Sequence, residues 1–286
     1  MEHIARFFFG VSGNVIALFL FLSPVVTFWR IIKKRSTEDF SGVPYNMTLL
    51  NCLLSAWYGL PFVSPNNILV TTINGTGSVI EAIYVVIFLI FAERKARLKM
   101  MGLLGLVTSI FTMVVLVSLL ALHGQGRKLF CGLAATIFSI CMYASPLSIM
   151  RLVIKTKSVE FMPFLLSLSV FLCGTSWFIY GLLGRDPFIA IPNGCGSFLG
   201  LMQLILYAIY RNHKGATPAA AAGKGDAADE VEDAKKAAAA VEMADAKTNK
   251  VVADDADADA DADGKSADDK VASQAPIMKK NPSRNA

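Results

Sequence analysis

Two copies of one short motif, Asn-Gly-Xaa-Gly-Ser, stand at Asn74–Ser78 and Asn193–Ser197. A carboxamide offers both a hydrogen-bond donor and an acceptor and carries no charge. Asn74 and Asn193 are therefore the leading candidates for holding a neutral, hydrogen-bonding solute. Trp177 adds a flat apolar ring and Ser55 a hydroxyl, at positions that match each other in the duplication set out below. An intramembrane Asn can also serve as interhelical glue, but its duplication with flanking Gly on both copies favours a site. Glu81 is the one carboxylate deep inside an apolar run, and an acid in that setting is a functional suspect, including as a proton carrier. Its counterpart in the duplication is Gly200 and no basic residue lies mid-run, which favours a hydrogen-bonded, uncoupled Glu81. Other chemistry is poorly supplied. His3, His123 and His213 lie at termini or in loops, and no nucleophile and base share a face, so the chain does not read as an enzyme. Cys52, Cys131, Cys141, Cys173 and Cys195 fall in apolar stretches without CxxC or a nearby His, so no disulfide framework, metal or cofactor is expected.

The elements that must position these residues are membrane helices. The 286 residues are 54% hydrophobic and only 17% charged, with mean hydropathy +0.52, where soluble chains carry about 25% charge. A hydrocarbon core about 30 Å thick needs roughly 20 apolar residues in helix. Seven such spans can be cut at about 7–29, 43–63, 68–92, 100–122, 129–152, 164–183 and 187–210. Lys and Arg gather after the odd spans: Arg30, Lys33, Lys34 and Arg35, then Arg94, Lys95, Arg97 and Lys99, then Arg151, Lys155 and Lys157, then Arg211 and Lys214. The opposite side has Arg6, Arg127, Lys128 and Arg185. The positive-inside rule then puts the amino terminus outside and the carboxy-terminal tail in the cytosol. That tail is Ala-, Asp- and Lys-rich, alternates Asp with Ala over Asp255–Asp263, and reads as disordered. Charge split between a basic body and an acidic tail gives no argument for nucleic acid.

The chain is duplicated. A shift of 122 residues aligns the block that begins Ser23-Pro24 with the block that begins Ser145-Pro146 and runs on without a gap to Tyr58-Gly59-Leu60 against Tyr180-Gly181-Leu182. After a three-residue deletion the Asn-Gly-Xaa-Gly-Ser segments coincide. Three spans reverse the direction of the chain, so an extra fourth span is needed for both units to start on the same side. The expected fold is all-α: seven transmembrane helices as two parallel three-helix repeats joined by a linker helix, with residues 1–97, 98–125, 126–213 and a disordered tail at 214–286. Pro24, Pro44, Pro146 and Pro163 all fall toward the cytosolic end, where loss of an N–H weakens a helical turn and points to hinges of an inner gate.

The paired Ser-Pro blocks, the twin Asn-Gly-Xaa-Gly-Ser segments, the 3+1+3 layout and the polar tail resemble the plant SWEET sugar facilitators, over about residues 5–212. Parallel repeats are a known transporter plan, the SWEETs among its examples. The resemblance implies a substrate pocket at Asn74, Asn193, Trp177 and Ser55, a proline tetrad at Pro24, Pro44, Pro146 and Pro163, and an outer gate at Tyr58, Gly59, Tyr180 and Gly181. It implies bidirectional facilitated transport of a sugar, glucose or a related monosaccharide, by alternating access in the plasma membrane. Membrane lipid and further copies of the chain are the expected partners. A proton-coupled sugar carrier is the alternative that Glu81 keeps open. A seven-helix receptor is disfavoured by the duplication.

Overall fold

In the computed structural model, which describes residues 1–38, 40–159 and 162–212, the described residues form nine helices. In chain order they are α1 (Glu2–Leu22), α2 (Val25–Lys34), α3 (Val43–Tyr58), α4 (Ile68–Phe91), α5 (Arg94–Leu120), α6 (Gly124–Cys141), α7 (Ala144–Thr156), α8 (Phe164–Leu183) and α9 (Pro187–Tyr210). The tail from 214 on, with His213 and Glu160, lies outside the described residues. The pair α1–α2 and the pair α6–α7 each continue through one 33-residue crossing, Glu2–Lys34 and Gly124–Thr156. Nine helices thus make seven rods, of which six are long and apolar enough to cross a membrane, while α3, at 16 residues, falls short of that length.

Proline sets the breaks in those two passes, which the sequence reading had drawn as unbroken helices. Pro24 has no N–H to give the Leu20 carbonyl. The Ser23 hydroxyl takes that carbonyl instead at 2.9 Å, with the Ser23 N–H at 3.3 Å. Pro146 likewise leaves the Met142 carbonyl to the N–H of Ser145, at 3.4 Å. Pro44 and Pro163 behave differently from the expectation. Pro44 is in the first turn of α3 and Pro163 caps α8, where the N–H has no helical partner to lose, so these two start helices without weakening one. Pro192, inside α9, went unnoticed.

Span ends also differ from expectation. The second pass stops as helix at Tyr58, well short of 63, because Pro61 cannot continue it and turns take over from Gly59. α5 and α6 begin earlier than expected, at Arg94 and Gly124, since the stems of Lys and Arg allow helix to run on into the headgroup zone.

The packing obeys the duplication. In the first repeat α4 lies between α1 and α3; in the second, α9 lies between α6 and α8. The repeats meet along two seams of matching helices, α1 with α8 and α3 with α6. The starts of α1, α4, α6 and α9 gather on one face, where Asn67 and Asp186 meet at 2.8 Å, which is the parallel arrangement. α5 packs on α3, α4 and α6 through Met100, Val107 and Val114, spaced by sevens, and so covers one seam. The exterior is apolar: on α4, Val79, Ile83, Val86 and Ile90 are exposed while Glu81, Tyr84 and Val85 are buried. Cys52 and Cys131 are core residues, but Cys141 and Cys195 lie on the outer surface.

Candidate functional site

Along the axis between the repeats lies a cavity of about 260 Å³. It brings together all four residues singled out in the sequence, with Asn74 on α4, Asn193 on α9, Ser55 on α3 and Trp177 on α8. Each asparagine donates one N–H to the carbonyl four residues back, Asn74 to Val70 at 2.9 Å and Asn193 to Ile189 at 2.8 Å. Those bonds are equivalent in the duplication. They pin both carboxamides and leave each an oxygen and a second N–H for the cavity. Trp177 is buried, lies edge-on to Tyr180 with ring centroids 5.1 Å apart, and is backed by Gly13, where a Cβ would stand 2.7 Å from the indole nitrogen. Trp57 instead donates to Ser118 at 3.0 Å, and Trp29 is 69% exposed on the outer surface.

The last Gly of each motif has a packing duty. A Cβ on Gly77 would strike the Phe21 ring and one on Gly196 the Tyr143 hydroxyl. Phe21 and Tyr143 are counterparts in the duplication and flank the two helix breaks. Tyr143 donates to the Pro192 carbonyl, and Thr136 donates to the Phe188 carbonyl that Pro192 leaves free. Two polar lining residues escaped notice in the sequence. Ser139 donates to the Asn51 side-chain oxygen at 2.7 Å. The counterpart of Asn51 is Cys173, also on the cavity, so identity between repeats gave no signal there.

Where α1, α4, α6 and α9 begin, here the amino-terminal face, a buried network shuts the cavity. Tyr58 donates to both oxygens of Asp186 at 2.7 Å, and Asn67 donates to Asp186 at 2.8 Å. Asn67 also donates to Ser64 at 2.6 Å and accepts from Arg6 at 2.7 Å, while the Lys128 ammonium stands 3.5 Å from Asp186. Tyr180 donates to the Asn66 carbonyl at 3.1 Å, under the Arg6 guanidinium 4.4 Å from its ring. The duplication pairs Arg6 with Lys128, Tyr58 with Tyr180 and Asn67 with Asp186. Each tyrosine therefore reaches over to the residue that precedes the third helix of the other repeat. Gly59 and Gly181 sit beside those tyrosines at matching helix crossings, where a Cβ would be 2.8 Å from the Thr71 nitrogen and 2.6 Å from the Ala190 nitrogen. Asp186 was not singled out in the sequence. Its place before Pro187 marks a helix start and its counterpart Asn67 is also polar, which was the available signal.

Toward the opposite, carboxy-terminal face opens a second cavity of about 310 Å³. Pro24, Pro44, Pro146 and Pro163 all line it, so the structure gathers the four prolines around one vestibule. Leu20 and Phe21 line both cavities and partition them. A larger groove of about 750 Å³ between α8 and α9 is walled by exposed Leu182, Ile191 and Phe198 and belongs to the apolar exterior.

Comparison with known proteins agrees with the duplicated fold. The family model described as "Sugar efflux transporter for intercellular exchange" matches residues 7–96 and 129–215, one match per repeat, and leaves out most of α5. The bidirectional sugar transporter SWEET1a of Sorghum bicolor is 86% identical over 258 residues, covering 89% of this chain and 95% of the relative. SWEET1 of Arabidopsis thaliana is 70% identical over 213 residues, covering 74% and 86%. A solved structure of a eukaryotic SWEET transporter superposes with TM-score 0.72 at 49% identity, over 74% of this chain and 99% of that one.

Proposed function

Because the chain belongs to the SWEET family of sugar transporters, we propose that it carries monosaccharides, glucose among them, in either direction across the plasma membrane by alternating access. The observation that carries the reading is the pair of pinned carboxamides, Asn74 and Asn193, facing one cavity beside Trp177. A sugar presents hydroxyls at its rim and C–H groups on its faces, so uncharged donors and acceptors plus an indole face match it without an ion. Volume favours the smaller sugars. Pockets for small molecules run from about 300 to 1,000 Å³, and this cavity, at about 260 Å³, lies just below the small end of that range.

The outer network is closed and the proline-lined vestibule is hollow, which supports a conformation with access toward the carboxy-terminal face. Arg30, Lys33 and Lys34 near the end of α2, with Lys155 near the end of α7, support placing that face in the cytosol. We take the chain to assemble with further copies of itself, on the strength of the family resemblance; chemical cross-linking in membranes tests that.

Proteoliposomes with labelled sugars test the transport reading. Glucose is expected to equilibrate in both directions with and without a pH gradient, and sucrose to move slowly. Asn193→Ala is expected to abolish glucose flux with the protein still folded. A proton-coupled carrier is the second reading, favoured by Glu81, which is 4% exposed with Oε2 unpartnered. Accumulation against a gradient, abolished by a protonophore, would select it.

A further inference from the structure

The proline-lined vestibule carries more polar chemistry than a passage needs. Glu81 is 4% exposed and Tyr45 is 6% exposed; both line the cavity, and neither the Glu81 Oε2 nor the Tyr45 hydroxyl has a partner. Gln203 and Ser167, at 7% and 3%, face them from the second repeat. The positions correspond across the axis but the chemistry does not. Tyr45 answers to Ser167, Glu81 to Gly200, and Tyr84 to Gln203. Tyr45 is wedged edge-on against Phe28 and Tyr84, with ring centroids 4.8 and 5.7 Å away. At the vestibule wall the second repeat has a serine where the first has a tyrosine, and the hollow follows that mismatch; Gly200 instead packs on the Phe171 backbone, where a Cβ would stand 2.9 Å away.

We propose that the vestibule is a second sugar station, where the carboxyl group of Glu81 and the carboxamide of Gln203 hold a monosaccharide between the repeats and the Tyr45 hydroxyl completes the set. This rests on the reading of the chain as a monosaccharide carrier. A carboxyl group bonds hydroxyls in either protonation state, accepting when ionised and donating once when neutral. The vestibule is about 310 Å³, at the small end of the range of about 300 to 1,000 Å³ for small-molecule pockets. A metal ion does not fit. Glu81 is the single carboxylate among the lining residues, and the described residues hold no cluster of metal-binding side chains. The partition of Leu20 and Phe21 separates the station from the central cavity, so a sugar passes from one to the other by displacing the Phe21 ring.

Equilibrium dialysis of labelled glucose against the purified full-length chain tests this. The native chain is expected to hold two sugars, Glu81→Leu one and Asn193→Ala one. Tyr45→Phe keeps the ring contacts and removes only the hydroxyl, so it guards against misfolding in Glu81→Leu; it should weaken the second binding event by about threefold to tenfold. One sugar per native chain, with binding unchanged in Glu81→Leu and in Tyr45→Phe, overturns the station and leaves the central site standing. Binding that survives Asn193→Ala intact but disappears in Glu81→Leu keeps the station and overturns the central site instead.

Discussion

At the amino-terminal end of the pathway, corresponding residues of the two repeats bond to each other; at the carboxy-terminal end, corresponding residues enclose a space. Asn67 and Asp186 occupy equivalent positions and meet at 2.8 Å, drawing Tyr58 with them. Tyr45 and Ser167 are equally equivalent, and both line the vestibule. The lesson is that duplication fixes the backbone twice but leaves each level of the axis free to be sealed or hollowed by a single substitution. An amide facing a carboxylate closes one end because a donor meets an acceptor. A tyrosine answered by a serine leaves the other end open because the smaller side chain does not fill the matching volume.

The comparison breaks most readily at Asp186. Asp186→Ala strips the acceptor from Tyr58, Asn67 and Ser64 and the counter-ion from Lys128, all within buried surroundings. Loss of one partner from a buried charged cluster costs about 3–5 kcal/mol, so glucose exchange in proteoliposomes should fall at least about a hundredfold, with a cysteine placed in the cavity becoming reactive from the amino-terminal side. Reactivity unchanged from that side would show that the network does not hold the gate.

Gly181→Ala comes next. Its Cβ would meet the backbone nitrogen of Ala190 at 2.6 Å, and overpacking of this sort costs about 1–3 kcal/mol. Uptake and thermal stability should both drop, and Gly59→Ala should do less, since its nearest obstruction is the Thr71 hydroxyl. Equal losses would argue that the two repeats close with the same tolerance. Asn67→Ala is expected to be milder than Asp186→Ala, about threefold to tenfold in exchange rate, because Tyr58 keeps its hold on the carboxylate. The smallest effects belong to the prolines, and they sort by position. Pro24→Ala and Pro146→Ala restore a missing N–H at the two helix breaks and should slow exchange by about threefold. Pro44→Ala and Pro163→Ala, at helix starts, should change it by less than about twofold. A reversed order would mean that the helix starts move more than the breaks.

How much of this was legible beforehand depended on whether the two copies agree. Asn74 and Asn193 are identical, equally spaced from neighbouring glycines and uncharged, so comparison of the sequence with itself found them, and both face the cavity. Asp186 is matched by an asparagine and Asn51 by a cysteine; identity passes over such pairs even though position and burial unite them. The seven passes were readable from apolar length, but the breaks after Leu22 and Cys141 were not. The apolar run continues straight through both, and the effect of a proline depends on whether another helix runs directly into it. The unequal walls of the vestibule needed side-chain volume placed in space.

α5 was introduced as the pass that lets both repeats point the same way, yet it lies chiefly against α3, α4 and α6. A symmetric pair of free-standing halves would have two indistinguishable joints and no preference between them. Here one joint wears a splint and the other, α1 against α8, has none, so the machine is lopsided by construction. Rocking should pivot on the splinted side and part along the bare one, in the way a book opens away from its spine.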